Sequence, residues 1–234
     1  MKEEFKQGIK DGIPICLGYF SVSMAVGLMA VKAGLPVWTA VLISFSNLTS
    51  AGQYAGIGIM AAGGGALELF VTTLTINMRY FLMSLSVSQK VDDKFNIPKR
   101  MVAAYGITDE VFAVSMQRKK DLSFLYMVGL ILTPLLGWTL GTLTGAVAAD
   151  LLPQIVSNAM GIALYGMFIA IIVPPARENA KVFFVVALAI VASLCFAYIP
   201  VIKAISSGWK IIIIAVFVSG LAAFLFPIKE EANE

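Results

Sequence analysis

Long apolar runs separated by short polar stretches make up almost all of this chain. Runs at 13–31, 36–62, 67–88, 122–148, 155–173, 182–199 and 211–226 suit membrane-spanning helices, which need about 20 such residues. A further run, 101–116, is short for a span and carries two adjacent carboxylates. The pattern predicts an all-α, polytopic transmembrane helical bundle of six to eight membrane segments, at least one of them interrupted or re-entrant. It predicts one integral-membrane domain over 1–234, with short cytoplasmic tails at 1–12 and 228–234.

Two runs depart from the apolar pattern at their midpoints. Run 67–88 places Asn77 and Arg79 there, among Thr72, Thr73, Thr75 and Tyr80. A charge at the middle of a spanning helix costs about 2.5–3.5 kcal/mol on insertion scales. Arg79 stands about ten residues, or about 15 Å of helix, from either end, which is too deep to reach an interface. On a helical wheel Thr72, Thr75, Arg79 and Ser86 share one side, with Thr73, Asn77, Tyr80, Ser84 and Ser88 beside them. Leu74, Met78, Phe81 and Leu85 form the opposite side, the one able to meet lipid. Arg79 is then either a structural ion pair that fixes helix packing or part of a solute or counter-ion site.

Run 36–62 opens as a helix and then reads Ser46-Asn47-Leu48-Thr49-Ser50-Ala51-Gly52-Gln53-Tyr54-Ala55-Gly56. Unwound backbone at membrane depth survives only inside protein or beside a wet cavity, and interrupted spans aim half-helix ends at solutes. The alternative is a packing helix whose hydroxyls bond back to its own carbonyls. The interrupted reading makes Ser50, Gly52, Gln53, Tyr54, Asn77 and Arg79 the candidate substrate-binding residues. Phe45, Tyr54 and Phe81 are the apolar neighbours expected around a bound solute.

The acidic groups come next. In run 101–116, Thr108 suits an N-cap, with Asp109 and Glu110 stabilising a helix start. Asp109 or Glu110 can instead pair with Arg79 or carry a coupled proton. The segment is expected either to dip into the bundle or to lie at the interface. The later runs carry few polar groups and read as scaffold. Gly137, Gly141 and Gly145 form a close-packing face, and Gly18 and Gly27 make the first run a small-residue helix. Trp138 and Trp209 are interfacial anchors or packing residues.

At 59% hydrophobic and 13% charged, with mean hydropathy +0.88, the chain is far more apolar than a soluble core requires. Its net charge of +3 is scattered, which argues against nucleic-acid binding. The chain has no histidine, which excludes histidine metal sites and a histidine proton relay. Cys16 and Cys195 lie in apolar runs without metal-ligand spacing and read as packing residues. No cofactor or metal is expected. With no phosphate loop, nucleophile elbow or zinc motif, an enzyme is not expected, and transport would draw on a gradient or a separate subunit. The first apolar run lacks a cleavage pattern before it and is expected to be kept as a helix.

Basic residues admit two topologies. With a cytoplasmic N-terminus, a re-entrant 36–62 and a non-crossing 101–116, about thirteen Lys and Arg lie inside against three outside. A seven-span version, with the N-terminus outside and 36–62 crossing, gives about eleven against five.

Gly8–Gly12 with Pro14 and Gly18, then Ala33-Gly34-Leu35, Ser50-Ala51-Gly52-Gln53, Asn77-Met78-Arg79 and Thr108-Asp109-Glu110 together resemble the AzlC family. The family is that of the large permease subunit of branched-chain amino-acid exporters, and the resemblance covers essentially the whole chain. It implies export of leucine, isoleucine, valine and analogues across the cytoplasmic membrane, coupled to protons, with a small hydrophobic AzlD-type partner subunit. Such proteins often carry His after the Arg, whereas this chain has Tyr80, so proton coupling would rest on Asp109, Glu110 or Glu68. In this reading the substrate carboxylate meets Arg79 or free backbone N–H groups, and its ammonium meets Asp109, Glu110 or free carbonyls. The rivals are a small-solute channel or facilitator and a membrane-embedded enzyme using the Asp109 and Glu110 carboxylates.

Overall fold

The computed structural model describes residues 2–92, 94–151 and 154–226. The expected tail at 228–234 lies outside the described residues. Helix α1 (Lys2–Lys32) has Glu3 and Glu4 in its first turn and Lys32 in its last, each charge matched to the helix dipole. The expected N-terminal tail 1–12 is therefore mostly helix, continuous with the span. Gly34, at φ +87°, ends α1, with Leu35 N–H bonded to Ala30 O at 3.0 Å.

Helix α1 lies along α7 (Phe124–Val147), and glycine makes the contact. A Cβ on Gly8 would fall 2.2 Å from Tyr126 O, and one on Gly27 would fall 2.0 Å from Thr142 O. From the other side, Gly129 faces Phe5 O, Gly137 faces Cys16 O, Gly141 faces Phe20 O and Gly145 faces Met24 O. Only a missing side chain allows backbones this close. The expected face of Gly137, Gly141 and Gly145 is thus present. Gly18 has open space around it and belongs to another side of α1. Residue numbers rise together along the two helices, so α1 and α7 run parallel.

Helix α4 (Ala66–Ser88) runs the other way, since Val87 at its end shares a core cluster with Tyr126, Met127 and Leu130 at the start of α7. Leu74, Met78, Phe81 and Leu85 of α4 are 52–70% exposed, which is the lipid-facing side the wheel predicts.

Between these three helices sit two hairpins. The first is α2 (Val37–Ser46) and α3 (Ala51–Ala61), broken at 47–50. Helix α3 returns antiparallel to α4, with Gly52 against Asn77 and Gly56 against Leu69, and the turn closes at Gly63, φ +71°. The second hairpin is α5 (Ile97–Tyr105) and α6 (Asp109–Gln117), broken at 106–108. The sequence reads 101–116 as a short segment with a cap at Thr108; the structure has that cap, and it adds a separate helix before it that starts earlier, at Ile97. Asn96 caps α5, Gly106 fits where a Cβ would strike Ile131, and Thr108 restarts the helix by accepting from Val111 N–H at 3.3 Å. The second hairpin returns to its starting end, where Lys90 Nζ bonds Met116 O at 2.6 Å.

The hairpins enter from opposite ends and meet tip to tip, where Tyr105 O–H donates to Phe45 O. The parallel α1–α7 pair selects the topology in which 36–62 re-enters. A full crossing there would make α1 and α7 antiparallel. With the re-entrant topology, the positive-inside rule predicts the 89–96 loop inside and the Gly63 turn outside.

The remaining helices flank this core. They are α8 (Gln154–Glu178), α9 (Ala180–Tyr198), the short α10 (Pro200–Lys203) and α11 (Ser207–Leu225). Among the described residues, α1, α7, α9 and α11 are long and apolar enough to cross a membrane, and α4 and α8 have the length. No residue of α9 is buried, which suits a lipid-facing position. Trp138 is buried in the core, whereas Trp209 is partly exposed at the start of α11. Cys16 and Cys195 are both free thiols.

Candidate functional site

The two breaks bring the polar residues of the core together. Arg79 Nη1 meets Asp109 Oδ2 at 2.5 Å, and Nη2 donates to Tyr80 OH at 3.0 Å. The guanidinium also sits 4.8 Å from the Tyr80 ring centroid. Beside it, Tyr19 O–H donates to Glu110 Oε2. These groups open on a cavity of about 300 Å³, lined by Tyr19, Ser50, Ala51, Ile76, Arg79, Tyr80, Asp109, Glu110, Trp138 and Ile172. About a third of the Arg79 and Asp109 side chains remains accessible, 36% and 31%. The ion pair and the solute-site readings of Arg79 are therefore compatible: it is paired, and it faces a cavity.

Each hairpin contributes a helix N-terminus. Helix α6 begins at Asp109, so the acid stands in the first turn, where the dipole favours a negative charge. Helix α3 begins after Ser50, whose φ of +26° is unusual for a residue with a Cβ. Such strain persists only where the surroundings hold it, and it marks the tip of the hairpin. In the break itself, Asn47 Oδ1 accepts from Thr49 N–H at 3.0 Å.

Of the candidate residues, Ser50, Arg79, Asp109 and Glu110 line the cavity. Gly52 and Asn77 stand behind it, with the Asn77 amide 2.8 Å from where a Gly52 Cβ would be, so Gly52 allows α3 and α4 to close. Gln53 is buried and bonded to Ser44 Oγ at 2.6 Å and Trp138 Nε1 at 2.9 Å. Tyr54 is half-buried against the cluster of Ala25, Val26 and Trp138. Glu68 lies about 16 Å of helix from Arg79. It accepts from Ser206 Oγ at 2.5 Å and Gly208 N–H at 2.9 Å, tying α4 to the start of α11.

Phe81 does not reach the cavity. It is 70% exposed, about 200° around α4 from Arg79, on the lipid-facing side. Phe45 is 55% exposed and takes part through its backbone carbonyl. The apolar wall comes instead from Tyr19, Ile76, Trp138 and Ile172. Of these, only Tyr19 carries a signal in the sequence, a phenol at mid-depth of an apolar run.

A multi-pass helical membrane protein whose broken hairpins meet around a charged, half-open cavity is of the transporter type. Residues 14–152, more than half of the chain, match the family model "AzlC protein", and the chain belongs to the AzlC family. The matched segment holds α1 from Pro14, both hairpins, α4 and α7. The chain is similar to "Inner membrane protein YgaZ" of Escherichia coli strain K12, with 28% identity over 173 residues, 71% of each chain. It is also 28% identical over 172 residues to an "Uncharacterized membrane protein" of Archaeoglobus fulgidus, covering 73% of this chain and 75% of that one. No solved structure matches the chain.

Proposed function

We propose that this chain is the permease subunit of an exporter of branched-chain amino acids, working with a small hydrophobic AzlD-type partner in the cytoplasmic membrane. The observation that carries the reading is the Arg79–Asp109 pair facing a cavity of about 300 Å³ where the two hairpins meet. That volume is at the small end of ligand sites, which suits one amino acid. The cavity presents one guanidinium and two carboxyl groups. A zwitterion brings one charge of each sign and can insert into the pair without leaving a buried charge unmatched.

In this reading the substrate carboxylate takes Arg79, whose Nε is buried without a partner, and the positive end of α3 at Ser50 and Ala51. The ammonium takes Asp109, with Glu110 beside it. Coupling to protons falls to Asp109 and Glu110, which stand at the substrate, rather than to Glu68, which is held at α11. A carboxylate displacing Asp109 from Arg79 would free Asp109 for either the ammonium or a proton, so substrate and proton would compete there, as exchange of one for the other requires.

The test is efflux of preloaded labelled leucine and valine from cells making the chain with its partner, compared with Arg79→Gln and Asp109→Asn. Both variants should reach the membrane and lose most efflux. Wild-type efflux by inserted Arg79→Gln would remove the carboxylate assignment. Wild-type cells without efflux would remove branched-chain export.

A further inference from the structure

The cavity has a charged part and an apolar part, and the apolar part has one rigid member. Trp138 is 1% exposed, and its indole N–H donates to Gln53 Oε1 at 2.9 Å. Gln53 Nε2 donates in turn to Ser44 Oγ at 2.6 Å, and Ser44 Oγ is 2.7 Å from Thr142 Oγ1. Ser44 and Thr142 are fully buried, so each group in this relay has lost water and depends on the others. The indole also packs edge-on to Tyr19, ring centroids 5.3 Å apart. Turning Trp138 away would strand a donor and an acceptor and break that contact.

We propose that Trp138 sets the largest side chain the cavity accepts and that Gln53 positions it. This rests on the amino-acid reading above. With Arg79, Asp109 and Glu110 holding the charged end of the substrate, its side chain turns to the part of the wall without charge, formed by Ile76, Trp138 and Ile172. Ile172 is 44% exposed and has room to yield. Trp138 has none, and a side chain pressed against an immovable wall is rejected by overpacking. Ser44 and Gln53 belong to the two arms of the first hairpin and Trp138 to α7. The relay therefore holds the size limit and the hairpin in one rigid unit.

The test uses inside-out membrane vesicles from cells making the full chain and its partner, in which export becomes uptake. Initial rates are measured for labelled valine, leucine and phenylalanine. Wild type should favour valine and leucine, and Trp138→Phe should raise the phenylalanine-to-valine ratio on the order of ten-fold, as pocket discrimination of about this size implies. Gln53→Leu should move the ratio the same way. An equal fall for all three substrates would instead overturn its positioning role. Ile76→Phe narrows the same wall from α4 and should lower the leucine-to-valine ratio, which keeps the test decisive if Trp138→Phe fails to insert. Unchanged ratios with intact valine uptake would overturn this inference alone. Wild-type vesicles taking up none of the three would overturn the amino-acid reading and this inference with it.

Discussion

Replacing Gly145 with alanine probes the α1–α7 contact directly. The new Cβ would lie 1.9 Å from the Met24 carbonyl oxygen, 2.6 Å from its carbon and 2.7 Å from its Cα. All three are backbone atoms, so no side chain can swing aside. A carbon–oxygen contact needs about 3.3 Å, so the helices must part locally by about 1.4 Å. Overpacking costs about 1–3 kcal/mol, and a clash against rigid backbone belongs at the upper end. Alanine's higher helix propensity returns up to about 1 kcal/mol. The net loss is about 2 kcal/mol, or roughly 4–8 °C in Tm for a chain of this length. Gly18→Ala is the control: nothing stands within 4 Å of its Cβ, so the propensity gain acts alone and Tm holds or rises. Thermal unfolding of purified protein in detergent, followed by circular dichroism, reads both. A Gly145→Ala protein melting with or above Gly18→Ala would refute the close contact. Gly27→Ala, 2.0 Å from Thr142 O, should cost about as much as Gly145→Ala. The double variant should lose less than the sum, because the first change already parts the helices.

With Cys16 and Cys195 changed to serine, a single cysteine at Gly63 should react with a membrane-impermeant thiol reagent from outside the cell. One at Lys94 should react only after permeabilisation; the reverse pattern would invert the topology. Thr108→Ala removes the cap on α6 and should cost about 1 kcal/mol, whereas Thr108→Ser should be near neutral in the same melting assay. Cysteines at Phe45 and Tyr105, joined by a cleavable bifunctional reagent, should halt efflux reversibly if the hairpin tips must separate. Full efflux by cross-linked protein would show that they need not.

Much of this architecture is legible in the sequence because the membrane imposes simple rules. The apolar runs give the helices, and the wheel of 67–88 puts Leu74, Met78, Phe81 and Leu85 toward lipid, as found. The break near Ser50 is visible because polar and glycine residues gather there, and Thr108 announces a cap by its spacing to Asp109 and Glu110. Arg79 announces a partner by its depth, but not which carboxylate: that depends on how α6 turns, and it gives Asp109 to Arg79 and Glu110 to Tyr19. The wheel places Phe81 on the lipid side, so its expected role at the solute conflicts with that same periodicity. Trp138 gives no hint of its place because its partners, Gln53 and Tyr19, are more than 80 residues away. The parallel pairing of α1 and α7 is likewise a long-range fact, and single runs carry no direction.

That pairing also has a consequence in time. Helix α1 is complete at Lys32, while α7, its partner along nearly its whole length, begins at Phe124, about 90 residues later. At about 5–20 residues per second, the ribosome takes roughly 5–20 s to supply it. Throughout that interval the stripe of Gly8, Gly12 and Gly27 waits without its match. The hairpins and α4 enter the membrane before the two helices that will clamp them have met. Assembly is therefore late and closes when α7 arrives, and a nascent chain stalled before position 124 should leave α1 loose in the bilayer.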